Sequence, residues 1–375
     1  MTFVINREYR SISKGKIDIM RKLNKTWMRV IAIFILIVVA FTLSSCDKTS
    51  KPVITLRLYL PCDSINYSVV SDFEKQYGIK VIYETYSNNE IMYKKIKASP
   101  DDYDIIIPTD YMISRLINEN MLLKLNKDKI PNWEFIDSAY QKMYFDPTGE
   151  YAVPYVTGTL GILYNKDLVG QPVTSWGSLW EEKYNDQILM PDSSRDALTV
   201  SLKHLGYSAN ASSPAELEAA KQKLIEQSRL VQYHTLNEIA DIMLMGKMAI
   251  GVTYSGEAYN AIRRSKNAEL DFVIPREGAS RWVNAMVVLK STPHFDEAML
   301  FINYLCENYA AITNQEEIRR TSAQKNVRGL ISDEISASPV LYPSAETLAN
   351  CEYIRYNPSI NSIYDAVWMD VLRTR

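Results

Sequence analysis

The sequence predicts an α/β protein with two lobes, each built on a doubly wound mixed sheet flanked by helices. Strand-like and helix-like segments alternate from residue 54 onwards, which favours strands joined by right-handed helical crossovers. Residues 103–107 (YDIII) form a continuous apolar strand, as expected where helices cover both faces of a sheet. The length of 375 residues suits about two domains, so the alternation is expected to fill two halves.

The first half of the chain predicts three strands, each followed by a helix. Runs rich in β-branched and aromatic residues predict the strands, and apolar residues at helical spacing predict the helices. Gly78 follows the first helical segment, where a left-handed C-cap residue commonly stands. The predicted strands are 54–60, 80–85 and 103–107, and the predicted helices are 68–77, 89–98 and a segment around 112–119.

The second half repeats the alternation. No low-complexity linker separates the halves, so they are expected to be joined by strand crossovers near 155–158 and 282–284. The predicted strands are 161–164, 187–190, 249–254, 270–274 and 282–289. The predicted helices are 196–205, 214–227, 236–244, 295–309 and 360–372.

Polar residues follow two of the predicted strands. Doubly wound sheets bind ligands at the carboxyl ends of their strands, which here are residues 60–64 and 108–111. Two carboxylates at these ends could form an acid–base pair, but no candidate nucleophile accompanies them. The candidate ligand contacts at these ends are Asp63, Ser64, Thr109, Asp110 and Tyr111.

Residues 1–45 are expected to lie outside the fold. A basic segment precedes an apolar run at 30–43, which is too short for a spanning helix of about 20 residues but suits a signal-peptide core. The following Leu43-Ser44-Ser45-Cys46 resembles the bacterial lipobox, in which the Cys is lipidated and becomes the mature N-terminus. Translation is then expected to start at Met20. The alternative is an uncleaved anchor; either way the bulk of the chain is expected outside the cytoplasm, tethered to a membrane.

Charge and motif content restrict the function classes. Eight of the 42 Lys and Arg but two of the 44 Asp and Glu fall in residues 1–45, which leaves the remainder with eight more acids than bases. An acidic exported chain is not expected to bind nucleic acid. Phosphate-cradling, metalloprotease and serine-hydrolase motifs are missing, so we predict no enzyme activity, no cofactor and no metal site. Cys62, Cys306 and Cys351 leave the disulfide state open.

Five stretches match the pattern of one known family. They are 73–98, 103–111 (YDIIIPTDY), 173–198, 205–210 and 281–288 (RWVNAMVV). Together they resemble the spermidine/putrescine-binding proteins of bacterial polyamine ABC importers, from about residue 54 to the C-terminus. The resemblance implies a two-lobed type II periplasmic binding protein with a ligand cleft between the lobes, and ABC permease and ATPase subunits as partners. It implies one lobe formed by 46–157 with 284–326 and another by 158–283 with 327–375.

The resemblance also implies how the ligand is held. Family members enclose a linear diamine or triamine, with aromatic rings along its methylene chain and carboxylates or hydroxyls at its ammonium ends. Such amines are cationic at neutral pH, and an ammonium taken out of water needs anionic partners. The matching positions that keep suitable chemistry are Asp63, Thr109, Tyr111, Asp196, Tyr254, Glu257 and Trp282.

Other positions depart from the family's pattern. Ser193 and Asn284 are neutral where relatives carry a carboxylate, and we keep both as candidate ligand contacts. Arg319 and Arg320 occupy a loop that is uncharged in relatives. These departures leave alternatives to putrescine or spermidine open: a different small cation or a zwitterion in the same fold, or a sensor that does not feed transport.

Overall fold

The computed structural model describes residues 27, 53–235 and 238–374. The fold below is that of the compact unit Ile54–Arg375. Apart from Trp27, the predicted signal segment lies outside the described residues, as does Cys46. Among the residues that the structure describes, no helix is long and apolar enough to cross a membrane.

Eleven strands make up the sheet of the described chain. They are β1 (Thr55–Pro61), β2 (Lys80–Tyr86), β3 (Ile105–Ile106), β4 (Ala152–Asn165), β5 (Ile188–Pro191), β6 (Val231–Thr235), β7 (Ile250–Tyr254), β8 (Leu270–Val273), β9 (Ser280–Val288), β10 (Thr321–Ser322) and β11 (Glu352–Tyr353).

The α-helices alternate with these strands along most of the chain. They are α1 (Tyr67–Tyr77), α2 (Asn89–Ala98), α3 (Asp110–Asn118), α4 (Lys166–Val169), α5 (Ser194–His204), α6 (Pro214–Ser228), α7 (Ile239–Met243), α8 (Ser255–Arg264), α9 (Phe295–Leu305), α10 (Asn308–Ile318), α11 (Asp333–Ser336), α12 (Ala345–Leu348) and α13 (Pro358–Arg373). Gly78 caps α1 in the left-handed conformation with φ 68°, which confirms the predicted C-cap.

The sheet has the order β2-β1-β3-β9-β4-β7-β5-β6. Strand β1 pairs in parallel with β2 and β3, and β5 pairs in parallel with β6 and β7. Strand β4 is antiparallel to β9 and β7, and β9 is antiparallel to β3. The predicted α/β class with doubly wound mixed sheets is therefore confirmed.

Strand β4 joins two halves of the sheet. It pairs with β9 and β10 over its first eight residues and with β7 and β8 over its last six, so its two ends belong to different layers. We call β2, β1, β3, β9 and the start of β4 the first sheet half. The end of β4 with β7, β5 and β6 is the second sheet half.

Helices cover both faces of each half. In β1, Leu58 belongs to the buried cluster that contains Phe301 on one face, while the neighbouring Tyr59 belongs to the cluster that contains Met112 on the other. The same two-residue period divides β4 of the second half between a cluster around Trp176 and a cluster around Tyr259. Burial on both faces is why the central strands have continuous apolar sequences.

Several boundaries differ from the sequence prediction. Strand β4 is 14 residues long, whereas only 161–164 was predicted. The helix predicted at 295–309 is two helices, because the backbone of Glu307 is extended (ψ 144°) and begins α10 anew. The short strands β10 and β11, and β6, were not predicted, and residues 236–237 of the predicted helix 236–244 lie outside the described residues.

Candidate ligand cavity

A cavity of about 330 Å³ lies where strands of both sheet halves end. From the first half it is lined by the end of β1, the N-terminus of α2 and the loop between β3 and α3. From the second half it is lined by the segment after β5, the end of β7 and the start of α8, and strand β9 forms another wall. Its volume is near the lower end of the range for small-molecule sites, about 300–1,000 Å³.

The structure brings most of the predicted contact residues together. Nine of them line this cavity: Thr109, Asp110, Tyr111, Ser193, Asp196, Tyr254, Glu257, Trp282 and Asn284. They come from segments up to 175 residues apart, which only the fold could unite. Whether each contacts a ligand stays a prediction.

Asp63 and Ser64 are placed outside the cavity lining. The chain turns after β1, and Asp63 is exposed with a left-handed φ of 50°. Ser64 is buried, and its hydroxyl donates to the carbonyl of Pro61 over 2.7 Å. The turn therefore presents Pro61 and Cys62 to the cavity in their place. Cys62 is a free thiol, as are Cys306 and Cys351.

Asp196 and Tyr254 form a polar pair on the wall from the second half. The Tyr254 hydroxyl donates to the Asp196 carboxylate over 2.7 Å. Ser193 caps α5 by accepting from the backbone N–H of Asp196. Burial raises the pKa of Asp196, which the Tyr254 hydrogen bond opposes. Among the described residues no Lys or Arg forms an ion pair with Asp196, so its carboxylate is available to a cation.

Asp110 joins the start of α3 to β9. Its carboxylate accepts from the backbone N–H groups of Tyr111 (2.7 Å) and Val283 (3.2 Å). Burial raises the pKa of Asp110 to about 7, although these donors favour the charged form. A cation entering the cavity would favour ionisation of this group.

Aromatic rings form another part of the lining. Tyr254 and Trp282 meet edge to face, with ring centroids 6.1 Å apart. The ring of Trp282 lies over Gly158 of β4, where a Cβ would come within 2.5 Å of Cζ2. A glycine is therefore required for the ring to lie there.

Three arginines line the cavity: Arg195, Arg281 and Arg320. Of these, the sequence analysis indicated only Arg320. Arg320 pairs with Glu257 (2.8 Å). Arg195 lies 4.0 Å from the ring centroid of Tyr111, and its Nε is 3.6 Å from Glu90 of α2. The Tyr111 hydroxyl also donates to Glu90 (2.9 Å).

Sequence reasoning missed Glu90 and Asn89, which a consistent use of the strand-end rule would have found. Strand β2 ends three residues before Asn89, and the N-terminus of α2 lines the cavity. The predicted strand at 80–85 lies between those at 54–60 and 103–107, and the residues after it reach the same edge of the sheet. Arg319, the other predicted loop cation, pairs with Glu316 and does not line the cavity.

The lining has more acids than bases. Its carboxylates are Glu90, Asp110, Asp192, Asp196, Glu257 and Asp365, and its guanidinium groups are Arg195, Arg281 and Arg320. Among the described residues, no group of His, Cys, Asp and Glu is placed to hold a metal ion. The site can therefore accept a small organic molecule with net positive charge.

Comparison with known proteins gives a consistent set of relatives. The model of the family described as "Bacterial extracellular solute-binding protein" matches residues 68–339. The spermidine/putrescine-binding periplasmic protein of Escherichia coli is 32% identical over 313 residues, which is 83% of this chain and 89% of the relative.

Solved structures agree with the family match. A putative spermidine/putrescine ABC transporter from Listeria monocytogenes has a TM-score of 0.81 at 33% identity, over 86% of this chain and 99% of that one. A spermidine/putrescine ABC transporter substrate-binding protein from Streptococcus pneumoniae has a TM-score of 0.76 at 32% identity, with the same coverage of both chains.

Proposed function

The chain belongs to the bacterial extracellular solute-binding protein family, and from that membership we propose that it captures a polyamine outside the cytoplasm and delivers it to an ABC importer. Relatives at about a third identity are named for spermidine and putrescine binding. The observation that carries the proposal is the cavity itself, whose lining has more carboxylates than arginines and includes the aromatic rings of Tyr111, Tyr254 and Trp282.

The chemistry of the lining suits a flexible cation. An ammonium group removed from water needs an anionic partner, which Asp196 and Asp110 supply. The faces of Tyr254 and Trp282 pack against methylene groups and contribute about 0.5–2 kcal/mol each where a cation lies over them. A micromolar dissociation constant requires only about 8 kcal/mol, so a few such contacts suffice.

Ligand capture is coupled to closure of the two sheet halves. Thr109 and Tyr111 approach the cavity from the first half, and Asp196 and Tyr254 from the second. A ligand that contacts both walls binds the closed arrangement more tightly than an open one and so increases its population. The permease and ATPase subunits of the importer would then recognise the closed form.

The lobe boundaries proposed from the sequence have support in the buried clusters. The clusters of the first half draw on residues 56–156 and 283–310, and those of the second half on 160–279, 311–341 and 364–371. The lobes at 46–157 with 284–326 and 158–283 with 327–375 follow this division with two exceptions: Val283 packs with the first half and Ala311 with the second.

We further propose that residues 1–45 are removed as a signal peptide and that Cys46 is lipidated, which would anchor the protein to the outer side of a membrane. The apolar run 30–43 followed directly by Ser44, Ser45 and Cys46 supports this. Mass spectrometry of the N-terminal peptide from cells tests it. An unmodified Cys46, or a chain that begins upstream of it, would contradict the lipid anchor.

Binding without chemical conversion completes the proposal. Calorimetry on the full chain in mild detergent is expected to show one putrescine or spermidine bound in the micromolar range, and the ligand is expected to be recovered unchanged. Absence of heat with every linear amine, from protein that retains its thermal unfolding transition, would refute polyamine capture.

A further inference from the structure

Two neighbouring side chains of β9 in the cavity lining carry donors that no described residue accepts from, although a cationic ligand calls for acceptors. Trp282 and Asn284 are two residues apart, so they lie on the same face of the strand. Both line the cavity. Their hydrogen-bonding groups define what the ligand must offer at this wall.

The amide oxygen of Asn284 accepts from Thr109, at the end of a chain of hydrogen bonds that begins at a backbone group. The N–H of Thr109 donates to Oδ1 of Asn89 over 3.2 Å, so Nδ2 of Asn89 donates to the Thr109 hydroxyl over 3.0 Å. In the structure the Thr109 hydroxyl donates to Oδ1 of Asn284, 3.0 Å away. Asn284 is thus left with Nδ2, a donor that no described residue accepts from.

Trp282 supplies a second donor on this wall. Its indole Nε1–H is buried and has no hydrogen-bond partner among the described residues. A buried donor without an acceptor costs free energy that a ligand oxygen would relieve. A protonated amine has no lone pair, so free putrescine or spermidine cannot accept from either Trp282 or Asn284.

Of the lining acids, Asp110 already accepts through both carboxylate oxygens from backbone N–H groups, one of them that of Val283 in β9, and Glu257 is neutralised by an arginine. Glu257 pairs with Arg320 at 2.8 Å, and the two side chains are only 29% and 13% exposed. An ammonium placed there would meet the guanidinium as well as the carboxylate. The other carboxylate oxygen of Glu257, Oε2, is buried and lacks a donor, so it can accept a neutral N–H group.

Asp196 differs from Glu257 in this respect. Its carboxylate accepts from a neutral hydroxyl, that of Tyr254, and among the described residues no cationic side chain pairs with it. An ammonium is therefore favoured at Asp196. Because carboxylates outnumber arginines in the lining, a carboxylate on the ligand is disfavoured, and the oxygen facing Asn284 and Trp282 should be neutral.

We propose that the preferred ligand is a linear amine with one ammonium end, held at Asp196, and one amide end, held at Asn284 and Trp282: an N-acylated diamine. The amide oxygen accepts from the two donors of β9, and the amide N–H donates to Glu257 Oε2. This inference rests on the proposed function, since it keeps a linear amine in the same cavity and specifies its second end.

Calorimetry on the full chain in mild detergent tests the inference with four compounds: putrescine, spermidine, N-acetylputrescine and 4-aminobutyrate. N-acetylputrescine is expected to bind at least tenfold tighter than putrescine. The Asn284→Asp variant replaces the donor with a carboxylate, which still accepts from Thr109. In that variant the order is expected to reverse, with putrescine at least tenfold tighter.

The exposed Asn267→Asp variant is the matched control, since it adds the same charge outside the cavity lining and should behave like the parent chain. Tighter binding of putrescine or spermidine than of N-acetylputrescine to the parent would overturn the amide assignment and leave polyamine capture intact. Tightest binding of 4-aminobutyrate would overturn the neutral oxygen. Absence of binding by all four compounds would overturn the proposed function, and this inference with it.

Discussion

Replacing Asp196 by Asn tests the ammonium anchor with the smallest change in shape. In the parent chain the Tyr254 hydroxyl donates to the Asp196 carboxylate over 2.7 Å, and Asn retains an oxygen that can accept the same hydrogen bond. The amide also leaves the α5 cap formed by Ser193 unchanged, because that bond uses the backbone N–H of residue 196. The variant therefore removes the charge beside the ligand and little else.

The size of the effect follows from the burial of the pair. Opposite unit charges about 4 Å apart attract by about 4 kcal/mol at an effective dielectric constant of about 20. Truncating one partner of a buried charge pair costs about 2–5 kcal/mol in measured complexes. A loss of about 3 kcal/mol corresponds to binding weakened about a hundredfold, since 1.4 kcal/mol is tenfold.

Calorimetry with the tightest-binding amine, alongside thermal unfolding, measures this loss. The matched control is Asp128→Asn, which removes the same charge from an exposed residue outside the cavity lining and should leave affinity unchanged. Affinity of Asp196→Asn within threefold of the parent, at an unchanged unfolding temperature, would show that the ammonium is held elsewhere.

Three further predictions concern Asp110 and Gly158. Because burial raises the pKa of Asp110 to about 7 and a bound cation favours its charged form, ligand binding should release protons near neutral pH, and affinity should be up to about tenfold weaker at pH 6 than at pH 8. Calorimetry in buffers of different ionisation enthalpy measures the proton release, and an affinity that does not change between pH 6 and pH 8 would contradict the prediction. Asp110→Asn should lower the free energy of unfolding, measured in urea, by about 1–3 kcal/mol, because an amide cannot accept from both the Tyr111 and the Val283 N–H groups. The control Asp101→Asn, at an exposed residue, should leave it unchanged, and equal stability of the two variants would show that the Asp110 carboxylate does not stabilise the contact between α3 and β9. Gly158→Ala should displace the Trp282 ring and weaken ligand binding at least tenfold, whereas the control Gly329→Ala, whose Cβ would have open space, should bind the ligand like the parent chain. Tryptophan fluorescence reports the ring displacement and calorimetry the affinity, and unchanged affinity of Gly158→Ala would contradict the packing argument.

The architecture was predictable because its signals are local. Apolar runs such as 103–107 read as buried strands whatever they pair with, and Gly78 marks the end of α1 by its own conformational freedom. The strand-end rule located the loop between β3 and α3 correctly. Each of these inferences needs only a few neighbouring residues.

The turn after β1 was not predictable in the same way. The strand-end rule places residues 60–64 at the correct edge of the sheet but does not say which side chains face the ligand. The left-handed Asp63 turns the chain, so its own side chain and that of Ser64 leave the lining while Cys62 enters it. Side-chain direction after a strand depends on backbone angles that the residue types do not fix.

The glycines of β4 show a second limit. By local pattern the segment Gly158-Thr159-Leu160-Gly161 suggests a bend, because glycine in a strand usually marks an irregularity. In the structure it is extended, and the missing Cβ atoms leave room for Trp282 and Phe272, which are more than a hundred residues away. Packing against distant side chains is what requires glycine at these two positions, and no local sequence pattern indicates that requirement.

The charge available to a ligand also depends on pairings that sequence distance hides. The chain beyond residue 45 is acidic, yet Arg320 meets Glu257 from 63 residues away and Arg195 approaches Glu90 from the other sheet half. Each pairing removes an acid that composition alone would assign to a cationic ligand. Of the lining acids that no arginine pairs with, Asp110 is held by backbone N–H groups, and we place the ammonium at Asp196, while β9 offers donors. Net charge predicts that a cation enters the cavity, and the unpartnered donors of β9 are the reason we propose one ammonium end rather than two.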